Sequence, residues 1–173
     1  MESLPMYIGT KIIMATPATE GEVWAMKSGF TGDLSGHPEI RKQIEAMSDP
    51  GYRVVYEDGY VSWSPKDVFE KAYRPTTGMN FGLALEAVKM GHKISRVGWN
   101  GKGLFVVYQK GYPEGIRCNK QTADAWGMQE GDLFKCEPYL QINTVDGSHA
   151  MWVPSIRDCL ADDWMIVGGE IHE

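Results

Sequence analysis

The stretch Arg96-Val97-Gly98-Trp99-Asn100-Gly101-Lys102-Gly103 places a large aromatic ring, a carboxamide and two cations on one glycine-rich turn. From residue 87 to residue 113 the chain carries five Lys or Arg side chains (Lys89, Lys93, Arg96, Lys102 and Lys110) and neither Asp nor Glu, although the formal net charge of the whole chain is −6. A flat ring beside hydrogen-bonding groups and cations suits a ligand that has both a base and phosphates, such as a nucleotide. Glycines let the backbone come close to such a ligand. The same spacing also describes a hairpin-type turn with a core Trp and solvated Lys, and spacing alone leaves both readings open.

The second group with chemistry in it is acidic: Asp158, Asp162 and Asp163. If the helix here continues, Asp158 and Asp162 share one of its faces and pair as acid and base. The plainer reading makes Asp158 a helix cap and Asp162-Asp163 a solvated end. A third lets one carboxylate accept hydrogen bonds from ribose hydroxyls. Other sites are excluded by pattern. The glycine-rich turn is no Walker loop, because Arg96 stands where its first glycine belongs and Gly103 where its Ser or Thr belongs. It joins strand to strand, so it is no dinucleotide fingerprint. His37, His92, His149 and His172 are scattered, and no metal site is expected from them. No serine lies in a nucleophile elbow. Cys118, Cys136 and Cys159 are too widely spaced for a Cys-x-x-Cys site, and read as reduced thiols of a cytoplasmic protein. Trp164, just before an apolar run, reads as core. Trp99, flanked by Gly98 and Asn100, has little local apolar cover, and a base or another protomer would supply it.

These side chains need a frame. At 173 residues, 43 % hydrophobic and with six Trp, the chain can bury a core in one domain or two. No run of eighteen apolar residues predicts a membrane span, and no basic-then-apolar start predicts a secretory signal. The acidic balance argues against general binding to DNA or RNA. Arg74-Pro75-Thr76-Thr77-Gly78 reads as a linker between an N-terminal domain, residues 1–76, and a second domain, residues 77–173. The halves hold 8 basic and 11 acidic residues, and 9 and 12, so each has a net charge of −3.

In the first half, apolar weight predicts a strand at 7–14. Thr19 with Glu22 predicts a capped helix ending near Gly29, and Pro38 starts another. Strands at 52–56 and 60–63 flank Glu57-Asp58-Gly59 as a hairpin. Ser64 then caps a helix with Pro65 in its first turn. In the second half Asn80 caps a helix with a Phe81, Leu85 and Val88 stripe. Strands follow at 93–97 and 104–108, then a helix at 119–126 stopped by Gly127. A hairpin at 139–143 and 150–153 turns on Asp146-Gly147, Ser155 and Asp158 cap a helix over 156–161, and a strand closes at 164–167. The predicted class is α+β: a helix packed on an antiparallel β-sheet, preceded by a small α+β domain with a β-hairpin.

The string Met79-Asn80-Phe81-Gly82, Ala84-Leu85-Glu86-Ala87, Arg96 to Gly103, Pro138-Tyr139-Leu140, Asp146-Gly147, Trp152-Val153-Pro154-Ser155, Asp158 and Leu160-Ala161-Asp162-Asp163-Trp164 resembles the Thoeris anti-defence family of the second type, in order and spacing over residues 79–167. The resemblance implies a phage sponge and not an enzyme. Such a protein sequesters the cyclic ADP-ribose isomer made by TIR immune proteins in the cytoplasm of the infected bacterium. Some relatives also hold cyclic dinucleotides of the CBASS system. It implies a homotetramer with ligand sites at protomer interfaces, and no cofactor. By motif position Trp99 would stack on the base, Asn100 and Lys102 would hold ribose and phosphates, and Arg96 would add positive field. Tyr139, Trp152, Ser155 and Asp158 would complete the pocket, with Asp162 near the sugars and Trp164 in packing. Ile156 and Arg157 depart from the more polar residues expected there. Residues 1–76 are an addition, whose expected part is packing or assembly.

Two other classes remain open from sequence. One is a cyclic nucleotide phosphodiesterase using Asp158 and Asp162 with a divalent metal. The other is a structural phage accessory protein that binds protein through exposed aromatics.

Overall fold

The computed structural model of the chain describes residues 9–30, 33–99 and 103–168. Two compact units divide it, Met1–Arg74 and Pro75–Glu173. In the first, strand β1 (Met14–Thr19) runs directly into helix α1 (Glu20–Lys27). Thr19 Oγ1 accepts from the Glu22 amide at 3.2 Å, and the Glu22 carboxylate accepts from the Thr19 amide at 2.7 Å, the reciprocal cap that the spacing predicts. Helix α2 (Pro38–Ala46) begins on Pro38, which lacks the amide hydrogen that a first turn leaves unbonded. Strands β2 (Pro50–Val55) and β3 (Val61–Pro65) form the hairpin, and helix α3 (Lys66–Ala72) follows. The sheet order is β1-β2-β3, antiparallel throughout.

Two expectations for this unit are corrected. The first strand lies at Met14–Thr19, not at 7–14, and residues 9–13 have no regular structure; Tyr7 and Ile8 lie outside the described residues. Pairing decides it, because Met14 stands opposite Val55 and Thr19 opposite Pro50. Pro17 is tolerated because β1 is an edge strand. Ser64 does not cap α3. It stands opposite Tyr52 in the β2–β3 ladder, and Pro65 takes the cap position without a side-chain bond.

The second unit opens with helix α4 (Phe81–Lys89), capped by Asn80, whose Oδ1 accepts from the Leu83 amide at 3.0 Å. Then come strands β4 (Lys93–Arg96), β5 (Val106–Gln109) and β6 (Tyr112–Arg117), helix α5 (Lys120–Trp126), and strands β7 (Leu133–Cys136), β8 (Tyr139–Asn143) and β9 (His149–Trp152). Helix α6 (Ile156–Cys159) and strand β10 (Trp164–Val167) complete it. The main sheet has the order β10-β4-β5-β8-β9, all antiparallel. Met79 adds a further bridge to Trp164, so the chain entering α4 is stitched to the sheet edge.

Helix α4 lies on this sheet, and the class is α+β. The buried set is Met79, Ala84, Ala87, Val88, Ile94, Val106 and Trp164. The expected stripe of Phe81, Leu85 and Val88 is only partly right. Val88 is buried, but Ala84 and Ala87 make up the rest of the buried face, while Phe81 and Leu85 flank it half-buried. Two small residues let the helix come down close to the sheet, and the bulky pair then reaches around its sides. Strands β6 and β7, absent from the sequence reading, form a separate two-stranded sheet on either side of α5. Gly127 ends α5 at φ 66°, a left-handed conformation suited to glycine. Helix α6 has four residues and stops at Cys159, short of the expected 161. Among the described residues no helix is long and apolar enough to cross a membrane.

Candidate functional site

The chemistry gathers where β4 ends beside α6. Arg96 is the last residue of β4, and its guanidinium lies between two carboxylates. Nη1 donates to Asp158 Oδ1 at 2.9 Å, and Nε donates to Asp163 Oδ1 at 2.7 Å. A planar fork suits this double duty, since its donors point in fixed and different directions. Arg96 therefore does not project as an isolated cation. The expected positive field is offset in place, because its two partners carry one net negative charge more than it can cancel.

Asp158 is the hub. Its side chain is 12 % exposed and accepts from four donors. Oδ2 takes the Ser155 amide at 3.0 Å and the Ser155 hydroxyl at 2.7 Å. Oδ1 takes Arg96 Nη1 and the indole Nε1 of Trp99, the latter at 3.2 Å. Ser155 Oγ in turn accepts from the Asp158 amide at 3.2 Å, which completes a capping box on α6. Burial pushes the Asp158 carboxyl up, but the bonds from Ser155, Arg96 and Trp99 outweigh it and hold the pKa at about 2. Asp163 is also held below the ordinary carboxylate value, first by Arg96, against partial burial, with help from the Gly98 amide.

Acid sensitivity follows. The unfolded chain binds the Asp158 proton near 3.8 and the folded chain only near 2, so the bonded carboxylate stabilises the fold above about pH 4. That contribution, about 2 kcal/mol, is lost as pH falls toward 2. The stability gap between the wild type and Asp158→Asn should therefore narrow from pH 5 to pH 2 in denaturant titrations. A gap that holds constant over that range would contradict the depressed pKa.

Aromatic rings back the clamp. Trp99 meets Trp164 edge to face with centroids 5.5 Å apart, and Trp152 likewise at 5.9 Å. Trp152 and Trp164 are 6.0 Å apart, and Phe81 closes the group 5.4 Å from Trp164. Trp164 is fully buried, with Nε1 donating to the Asp158 carbonyl at 2.9 Å, as its expected packing role requires. Trp99 is half-buried against this group. The apolar cover that its sequence neighbours do not supply comes from β9 and β10 of the same chain, far away in sequence. Trp152 also faces an apolar groove of about 340 Å³, shared with Leu85, Tyr108, Tyr139, Leu140 and Met151.

The sequence-predicted residues thus sort themselves. Arg96, Trp99, Ser155 and Asp158 form one bonded cluster, with Trp152 packed on it and Tyr139 in the adjoining groove. Asn100 and Lys102 lie outside the described residues. Asp162 is exposed and, among the described residues, makes no side-chain hydrogen bond. Because α6 ends at Cys159, Asp162 does not share a helical face with Asp158, and the acid–base pair drawn from helical spacing is not formed. Asp163, its neighbour, turns inward instead. Sequence reasoning passed over it because two adjacent carboxylates look alike until the chain path chooses between them. An oxygen set already accepting four hydrogen bonds is a poor proton shuttle or metal ligand. Among the described residues no group of three or more His, Cys, Asp or Glu is placed to hold a metal ion.

The comparisons with known proteins bear on this same segment. Residues 79–167 match the family model described as the Thoeris anti-defense 2-like domain. The chain is 37 % identical over 95 residues to the protein named Thoeris anti-defense 2 of Bacillus phage SP01, an alignment covering 53 % of this chain and 97 % of that protein. The family match contains the whole clamp, the aromatic group and the groove.

Proposed function

The chain belongs to the Thoeris anti-defense 2-like family, and from that membership we propose that it is a phage anti-defence sponge. In this reading it binds and sequesters cyclic ADP-ribose isomers from TIR proteins, and cyclic dinucleotides as a second class, in the cytoplasm of the infected bacterium, without degrading them. One observation carries the reading: every described residue of the candidate site falls inside the matched segment. The site chemistry supports it. Half-buried indole and phenol rings offer faces to a base and a sugar, while Asp158 is occupied in holding α6 and Trp99. The phosphodiesterase alternative needs Asp158 as a free acid or metal ligand, and it is less well supported because both Asp158 oxygens accept from Ser155, Arg96 and Trp99. Asn100 and Lys102, next along the chain, are the proposed partners of ribose and phosphate.

A homotetramer is part of the proposal. Met151, Val153, Ile156 and Leu160, on or near the short helix α6, are each at least 75 % exposed, and another protomer would give them apolar cover. The N-terminal unit, residues 1–76, is assigned the role of an accessory domain.

The direct test mixes the purified protein with TIR-derived cyclic ADP-ribose, removes unbound ligand, heat-denatures the complex and chromatographs what is released. Depletion followed by recovery of intact ligand is expected; a cleaved product would make the protein an enzyme. Trp99→Ala should lose about 1–3 kcal/mol of binding, roughly ten- to hundredfold in affinity, while light scattering shows the oligomer unchanged. Undiminished affinity by calorimetry would remove Trp99 from the ligand.

A further inference from the structure

Arg96 looks from sequence like a cation for phosphates, yet its surroundings give it another task. Asp163 Oδ1 accepts from Arg96 Nε, and Asp163 Oδ2 accepts from the Gly98 amide at 2.9 Å. The Val97 amide donates to the Asp163 carbonyl at 3.1 Å, and the Trp99 amide to the Arg96 carbonyl at 3.3 Å. A Cβ added at Gly98 would stand 2.9 Å from Asp163 Oδ2, so the carboxylate approaches the backbone as closely as only a glycine permits. At its other end the Trp99 indole N–H is held by Asp158 Oδ1, the oxygen that Arg96 Nη1 also reaches. The indole is thus fixed twice, through the backbone by Asp163 and through the ring by Asp158, and Arg96 ties the two carboxylates together.

We propose that Asp163 and Arg96 are positioning residues that hold Trp99 in its ligand-ready orientation, with Arg96 serving as a brace and not as a ligand cation. The assignment rests on the reading of Trp99 as a ligand-stacking residue. A brace of this kind sets the ring before the ligand arrives, so little ordering is left to oppose binding. Its chemistry is specific to the residues present. The carboxylate meets Arg96 Nε with Oδ1 and the Gly98 amide with Oδ2, so a carboxamide at position 163 would turn its NH2 group, a donor, toward one of those two donors. A Lys at position 96 keeps the charge but lacks the fork that spans two carboxylates.

The experiment compares the full chain with Asp163→Asn and Arg96→Lys. Two quantities are read: affinity for TIR-derived cyclic ADP-ribose by calorimetry, and amide hydrogen exchange in the ligand-free protein. Both variants should bind about tenfold more weakly, the scale of one lost charge-assisted hydrogen bond. Both should exchange faster at Gly98 and Trp99, with Ile94 and Val106 in the sheet unchanged. The competing role gives the opposite sign. If Arg96 faced ligand phosphate, Asp163→Asn would relieve it of a carboxylate and tighten binding, and Arg96→Lys would nearly preserve it. Either result overturns the proposal, as does unaltered exchange at Gly98. If the wild type itself takes up no cyclic ADP-ribose, that ligand falls and cyclic dinucleotides are next in line, and exchange alone then decides whether Asp163 and Arg96 position Trp99.

Discussion

Asp158→Ala should cost about 3 kcal/mol or more in the stability of the C-terminal unit, the scale of breaking a buried, hydrogen-bonded charge pair. Four donors lose their acceptor at once: the Ser155 amide and hydroxyl, Arg96 Nη1 and Trp99 Nε1. Arg96 keeps Asp163, so its charge is not stranded, which holds the loss below that of an isolated buried arginine. Graded variants separate the contributions. Ser155→Ala removes the cap oxygen and should cost about 1 kcal/mol. Asp158→Asn retains one acceptor oxygen and should fall between the two. Hydrogen exchange at the Ile94 and Val106 amides reports on this unit without averaging over the N-terminal one. If Asp158→Ala costs no more than Ser155→Ala, the carboxylate is only a cap, and Arg96 and Trp99 do not depend on it.

What the sequence discloses about this fold is what short-range hydrogen bonds decide. Thr19 with Glu22, Asn80 with Leu83 and Ser155 with Asp158 are all contacts three residues apart, visible from the capping residue and its spacing. The elements missed depend on partners far along the chain. Strand β6 contains Pro113 and Gly115, carries an irregular register opposite β7, and has α5 between it and its partner, so no local pattern announces it. Strand β1 is set by its ladder to β2, which outweighs the apolar residues just before it. The site divides in the same way. Asp158 was legible twice over, as a cap and as an acid, and the cap is the role its oxygens fill. That Asp163 and not Asp162 reaches Arg96 depends on how the chain leaves α6 for β10, and no spacing rule carries that. Trp99 was legible as an unusual ring on a turn, but its tertiary cover from Trp152 and Trp164 was not.

Trp164→Ala should be the most damaging single change in the molecule, at about 3–5 kcal/mol. The ring is fully buried, touches Phe81, Trp99 and Trp152, and donates to the Asp158 carbonyl, while its backbone pairs with Met79. Trp164→Phe fills most of the space but leaves that carbonyl without its donor, so a loss of about 1–3 kcal/mol remains. Because no part of Trp164 is exposed, an effect of Trp164→Phe on ligand affinity must pass through a neighbour, and Trp99, whose edge-to-face contact it carries, is the route expected. The double variant Trp99→Ala/Trp164→Phe tests this. Coupled rings should give a combined loss of affinity smaller than the two single losses together, because once Trp99 is gone Trp164 can no longer act through it. Full additivity would mean that Trp164 influences the pocket by a route other than Trp99, with the α6 cap at Asp158 the next connection to examine.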